Sequence, residues 1–170
     1  WYVYESGLGA GKFLYLNDSS AAPSSIYVWG NTEPTSSVFS ITDGQTVNVG
    51  ATFIAYCFHS VDGYSKIGSY QGDRPNTVTV YTTDDGTSTG ANGFEPSFLM
   101  IKDSTTSGED WIIVDNKREG TSAPTKVLYP NTSGIEDSYT VINFTSDGFT
   151  VGDTGLANTN GATIIYLAIA

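Results

Sequence analysis

GATFIAYCF, residues 50–58, and GATIIYLAI, residues 161–169, are nearly the same phrase written twice. Each opens Gly-Ala-Thr and continues as an unbroken apolar run. A short run of this kind, rich in β-branched and aromatic residues, reads as a strand covered on both faces. Two such strands in one chain predict a repeated unit that ends each time on the same words.

Searching outward from the phrase extends the match. Trp1-Tyr-Val-Tyr4 aligns with Trp111-Ile-Ile-Val114, and Lys12-Phe-Leu-Tyr-Leu-Asn17 with Lys126-Val-Leu-Tyr-Pro-Asn131. Phe39-Ser-Ile-Thr-Asp-Gly44 aligns with Phe144-Thr-Ser-Asp-Gly148, each followed by a Thr-Val. Four blocks keep their order, which predicts an internal duplication. The second copy also has IGSYQGD (67–73), TVTVYTT (77–83) and GFEPSFLMIK (93–102) ahead of Trp111. The first copy has no counterpart to these. Residues 1–62 therefore read as the partial first unit and 63–170 as a complete second unit. On this reading the chain is a segment of a longer array, with a GFxPxF-type strand expected before Trp1. The partial copy is expected to pack its open face on the complete one.

Composition agrees with strands and turns. Of 170 residues, 39% are hydrophobic and 13% aromatic, enough for a core, and 19 are glycine. Period-2 patterning and turn residues predict strands near 1–4, 12–17, 25–29, 37–42, 51–59, 66–71, 77–82, 96–102, 111–115, 125–129, 139–145, 148–152 and 161–169. Asp43-Gly44, Asp85-Gly86 and Asp147-Gly148 supply turn signals. Strands at this spacing without helical crossovers predict an all-β fold, an antiparallel β-sandwich or jelly roll.

Charge and cysteine content narrow the function classes. The net charge is −11, with seven basic residues, so nucleic acid is not an expected partner, because phosphate binding needs clustered Lys and Arg. No apolar run approaches the roughly 18 residues of a membrane span, and no membrane insertion is expected. The single cysteine, Cys57, excludes an internal disulfide and reads as a buried small hydrophobe in the repeated strand. The alternative is a thiol paired with His59, which shares its face of that strand.

A sandwich can carry hydrolytic or metal chemistry on its strands and loops. Paired carboxylates on alternating positions of one strand would cut polysaccharide, and no Glu-x-Asp-x-x-Glu string occurs. Glu109-Asp110 and Glu136-Asp137 are adjacent pairs whose side chains point to opposite faces of a strand. No Cys/His zinc cluster is present. These observations predict a non-enzymatic protein with no resident cofactor. Calcium is the one metal with a case: Asp84 and Asp85, with Asp153, offer hard oxygen ligands in loops. For glycan binding the candidates are Tyr27 and Trp29, on one face of the predicted 25–29 strand, and Tyr64 in the Asp-Gly-Tyr-Ser connection. The competing reading makes these aromatics core or cross-strand pairs. Asn17, Asn131 and Asn143 stand in Asn-x-Ser/Thr strings.

The succession GYSKIGSYQGD, GFEPSFLMIK, DWIIVDNKRE, KVLYPNTS, INFTSDGFTV and GATIIYLAIA resembles the repetitive β-rich virion proteins of tailed bacteriophages, especially phages of marine bacteria and cyanobacteria. The resemblance covers nearly the whole chain. It departs at 74–92, where RPNTVTVYTTDDGTSTGAN is longer than the family pattern. It implies a concanavalin-like jelly-roll character, a location at the virion surface or tail, and a role as tail fibre, spike or capsid decoration. It also implies other virion subunits as partners, in a homo-oligomer or fibre, with contact to host surface glycans, and it implies no catalytic residue. The alternative class is a free carbohydrate-binding, lectin-like module of a secreted protein.

Overall fold

The computed structural model describes residues 1–42, 50–138 and 142–170. Its strands, in chain order, are β1 (Tyr2–Val3), β2 (Leu14–Tyr15), β3 (Ser65–Gln71), β4 (Val78–Tyr81), β5 (Phe98–Asp103), β6 (Ile112–Asp115), β7 (Lys126–Val127), β8 (Asp137–Ser138), β9 (Ile142–Thr145), β10 (Gly148–Val151) and β11 (Thr163–Ile169). One short helix, α1, spans Ile26–Trp29. The chain is nearly all-β and every ladder is antiparallel.

The second copy of the repeated phrase organises the sandwich. β11 pairs with β3 along one edge and with β5 along the other, and β6 extends the sheet beyond β5. Because alternate side chains leave a strand on opposite faces, Ile164, Tyr166 and Ala168 point one way and Ile165 the other. The first set meets a three-stranded sheet ordered β4-β10-β9. There Val80, Phe149, Val151, Ile142 and Phe144 join Leu99, Ile101, Ile112 and Val114 in one buried core. A continuous apolar run is what a strand covered on both faces requires, and β11 has that cover.

Two glycines are set by close approach. A Cβ on Gly68 would meet the Tyr166 ring at 2.9–3.1 Å, so that ring lies across the β3 backbone. A Cβ on Gly148 would fall 2.0 Å from the Val80 carbonyl oxygen, where β10 enters its ladder with β4.

Residues 1–29 form a third layer over the outer face of the four-stranded sheet. Leu14 packs with Trp111 and Ile165, with Val3, Leu8, Leu16, Ala22 and Met100 around them. The indole N–H of Trp111 donates to the Tyr15 carbonyl at 2.8 Å. On the far side of this layer Ala10, Phe13, Val28 and Trp29 make a small core with Tyr2, Tyr4 and Tyr15.

The aligned blocks coincide in two details. The Trp1 amino group donates to Asn17 Oδ1 at 3.1 Å, and the Trp111 backbone N–H donates to Asn131 Oδ1 at 3.0 Å. Val3 pairs with Leu14 in the β1/β2 ladder, and their aligned partners Ile113 and Leu128 form a bridge. They part in exposure: Trp111 is buried and Trp1 is 61% exposed.

Three strand expectations are corrected. Residues 25–29 form α1 instead, because local chemistry favours a turn of helix at both ends. Ser25 Oγ accepts the Tyr27 N–H at 3.1 Å, and Gly30 closes the turn at φ +63°. Residues 37–42 lie outside any strand, with Val38, Phe39 and Ile41 exposed. Residues 51–59 also lie outside any strand, leaving Phe53, Ile54, Tyr56 and Phe58 at the surface. Cys57 is exposed there, not buried. Among the described residues no strand pairs with this 51–59 run along either edge, and a strand cannot form a ladder without neighbours. The Asp43-Gly44 turn falls outside the described residues, as do the first three residues of the 139–145 strand.

Candidate functional site

The aromatic platform expected at Tyr27 and Trp29 is not assembled. On a strand these two would share a face, but in α1 they diverge. Tyr27 is exposed, whereas Trp29 is buried, donates its indole N–H to the Lys12 carbonyl at 3.0 Å and meets Tyr4 edge-on. Trp29 is therefore a core residue. Tyr64 is exposed in the turn between Val61 and Ser65, away from both.

Asp84 and Asp85 organise the loop after β4. Asp84 Oδ1 accepts the N–H groups of Asp85 and Ala91 at 2.8 and 2.9 Å. Asp85 Oδ1 accepts the N–H and hydroxyl of Thr87, both at 2.9 Å, and the first of these bonds leads in holding its carboxyl below the usual range. Asp153 lies at the opposite end of the β4/β10 ladder, where it pairs with Arg74. The three do not converge on one point. Among the described residues no group of three His, Cys, Asp or Glu side chains is placed to hold a metal.

Glu109 and Asp110 are likewise separated in role. Asp110 accepts from Asn131 Nδ2 at 2.6 Å, tying the Trp111 turn together. Burial raises the Glu109 carboxyl, and the neighbouring Asp103 charge raises it further. Asp103 is itself wholly buried, its Oδ1 accepting from the N–H groups of Thr105 and Thr106 at 2.8 and 2.9 Å.

Two features were not singled out from sequence. Lys102 is fully buried beneath the first layer, with its ammonium donating to the carbonyls of Asp103 at 2.6 Å, Glu109 at 2.8 Å and Ser19 at 3.4 Å. Burial lowers its pKa, against the pull of nearby acids. A lysine inside the apolar run FLMIK was the available signal. The second feature is a groove of about 300 Å³ at the open edge between β3 and β4. Lys66, Tyr70, Tyr81, Asp85 and Tyr166 line it. Burial pushes the Tyr166 phenol up to about 12 and that of Tyr70 higher still, so both stay neutral donors.

One exposed surface is apolar. Phe53, Ile54, Tyr56, Phe58 and Val61 are all exposed, and Trp1 rests against Tyr56 with ring centroids 5.7 Å apart. The segment is anchored at its end: Val61 and Ser65 exchange both backbone hydrogen bonds at 2.9 Å, and Ser65 Oγ donates to the His59 carbonyl at 3.0 Å. The His59 ring nitrogen Nδ1 meets the Ser60 carbonyl at 2.8 Å.

Residues 1–170 match the family model DUF7483, a domain of unknown function, and the chain belongs to that family. No curated protein and no solved structure matches the chain. Among the described residues no helix is long and apolar enough to cross a membrane.

Proposed function

We propose that this domain is a non-enzymatic structural module of a bacteriophage virion, in a tail fibre, spike or capsid decoration, and that it works by associating with like modules. The observation that carries the reading is the apolar run 51–61, left at the surface with Trp1 beside it. A chain acting alone in water gains nothing from such exposure, whereas a module built into an assembly covers it. The phrases shared with β-rich virion proteins support the location. We further propose that the two halves descend from one duplicated unit. The matching Trp1–Asn17 and Trp111–Asn131 hydrogen bonds support that origin. Immunogold labelling of purified particles tests the role: label on tail or surface is expected, and protein found only in the particle-free fraction overturns it.

A free carbohydrate-binding module is the second reading, favoured by the tyrosine-lined groove between β3 and β4. Glycan-array binding abolished by Tyr81→Ala, with no label on particles, would promote it.

A further inference from the structure

We infer that residues 51–59 are a central β-strand held without its neighbours. Its partner is a pair of antiparallel strands repeating the chemistry of residues 65–71 and 98–103, carried by another polypeptide segment. The inference deepens the structural-module reading and rests on it only for the purpose of the association.

The template lies within the same chain. Aligning the two phrases places Phe53 on Ile164, Ile54 on Ile165, Ala55 on Tyr166, Tyr56 on Leu167, Cys57 on Ala168 and Phe58 on Ile169. In β11 every one of these positions is paired on both edges, by β3 and by β5, from Ile164 through Ile169. Residues 53–58 are apolar or small at every position, on both faces alike. An edge strand with one wet face would alternate. The composition of 51–59 therefore calls for two neighbouring strands and two covering layers.

The chain's own strands do not meet that demand. Both edges of β11 are occupied, and β5 lies between β11 and β6, so β5 has no edge left. β3 keeps one open edge, and the segment begins to pair there, but the ladder stops at the single Val61–Ser65 bridge. Continued pairing would make 51–59 an edge strand with one neighbour. A flanking strand pair of the kind that β3 and β5 give β11 would meet that demand. Trp1, beside the run, is exposed as well, whereas its aligned residue Trp111 is buried against Leu14 and Ile165.

The test adds the missing strands to the intact chain. A copy of residues 63–110 is fused ahead of Trp1, and the alkylation rate of Cys57 is compared with that of the unextended chain. Cys57 is the sole cysteine, and the added segment brings no other. Its aligned residue, Ala168, is fully buried. Alkylation is expected to slow by at least about a hundredfold, and amide exchange across 53–58 to slow with it. Amide protection in β11 reports whether the sandwich has folded in each protein. A control extension whose two copied strands are replaced by glycine and serine should leave Cys57 fast.

Equal alkylation rates with a protected β11 overturn the inference. Protection already present in the unextended chain and growing with its concentration overturns it too, and makes a second copy of this chain the occupant. Protection there that is independent of concentration overturns it in favour of pairing onto β3. Should the extended chain fail to protect β11, synthetic peptides spanning 63–73 and 97–103, added together to the unextended chain, replace the fusion. Slower alkylation of Cys57 with the pair supports the inference, and an unchanged rate at saturating peptide overturns it. A protected Cys57 in a protein absent from particles would keep the pairing and remove the virion role, so the two failures are distinct.

Discussion

Trp111 donates its indole N–H to the carbonyl of Tyr15 across 96 positions of sequence, and this bond fastens the first layer to the sandwich. Trp111→Phe keeps an aromatic ring in place but strands the Tyr15 carbonyl. It is expected to cost about 1–3 kcal/mol, the desolvation penalty of a buried group that loses its partner. Trp111→Ala also empties the site between Leu14 and Ile165, for about 3–5 kcal/mol. Denaturant unfolding measures both. Equal costs would mean that the ring's packing is idle.

Two glycines should respond very differently to the same methyl group. Gly148→Ala drives a Cβ into the Val80 carbonyl, part of the β4 backbone rather than a flexible tip, and is expected to cost about 3 kcal/mol. Gly161→Ala meets nothing within 4 Å but sits at φ +74°, where the penalty is only conformational, about 1 kcal/mol. Chemical denaturation of the pair separates clash from strain.

Asp115 should govern part of the acid response. Burial works to raise its carboxyl, yet the N–H groups of Lys117 and Arg118 at 2.9 and 2.8 Å and the Arg118 guanidinium hold it below the usual range. A carboxyl lowered in the folded state contributes stability above its unfolded pKa, and loses it as pH falls through the folded one. Asp115→Asn is expected to cost about 1–2 kcal/mol at neutral pH. The gap from wild type should close in acid, below the ordinary aspartate range. Melting temperatures across that range provide the check.

Lys102 predicts the opposite limb. Folding disfavours its charged form, so from its lowered pKa up to the ordinary lysine value the unfolded chain binds more proton. Stability contributed by this site should therefore rise with pH through that window. The stability of wild type relative to Lys102→Met is expected to increase with pH on the alkaline side, up to the ordinary lysine value. A flat difference would show that Lys102 titrates as though solvated.

The strands between 65 and 169 were legible because each apolar or alternating run has partners within the chain. Residues 51–59 carry the same signal as 161–169 and do not form a strand. A strand's hydrogen bonds belong to its neighbours, and neighbours lie outside any window of local sequence. At 25–29 the capping serine and the following glycine outweighed β-branched and aromatic content. The candidate site was the less legible part. Whether Tyr27 and Trp29 share a face depends on one turn of helix, and the Asp84-Asp85-Gly86 signal described a loop that uses its own carboxylates. Lys102 went unread because burying an ammonium requires three carbonyls from separate segments, a convergence that sequence does not display.

The strand order also has a consequence for how the molecule is made. β3 and β5 never touch; β11, translated long after both, is the only strand that joins them. Ser65 pairs with Ile169, so the ladder closes over almost the full span between them. During synthesis the sheet must wait, its two inner edges open, until the last of these strands leaves the ribosome. Such late, long-range closure folds slowly and leaves strand edges bare in the meantime. A chain cut short before residue 163 would leave bare the two inner edges that β11 covers in the finished sheet.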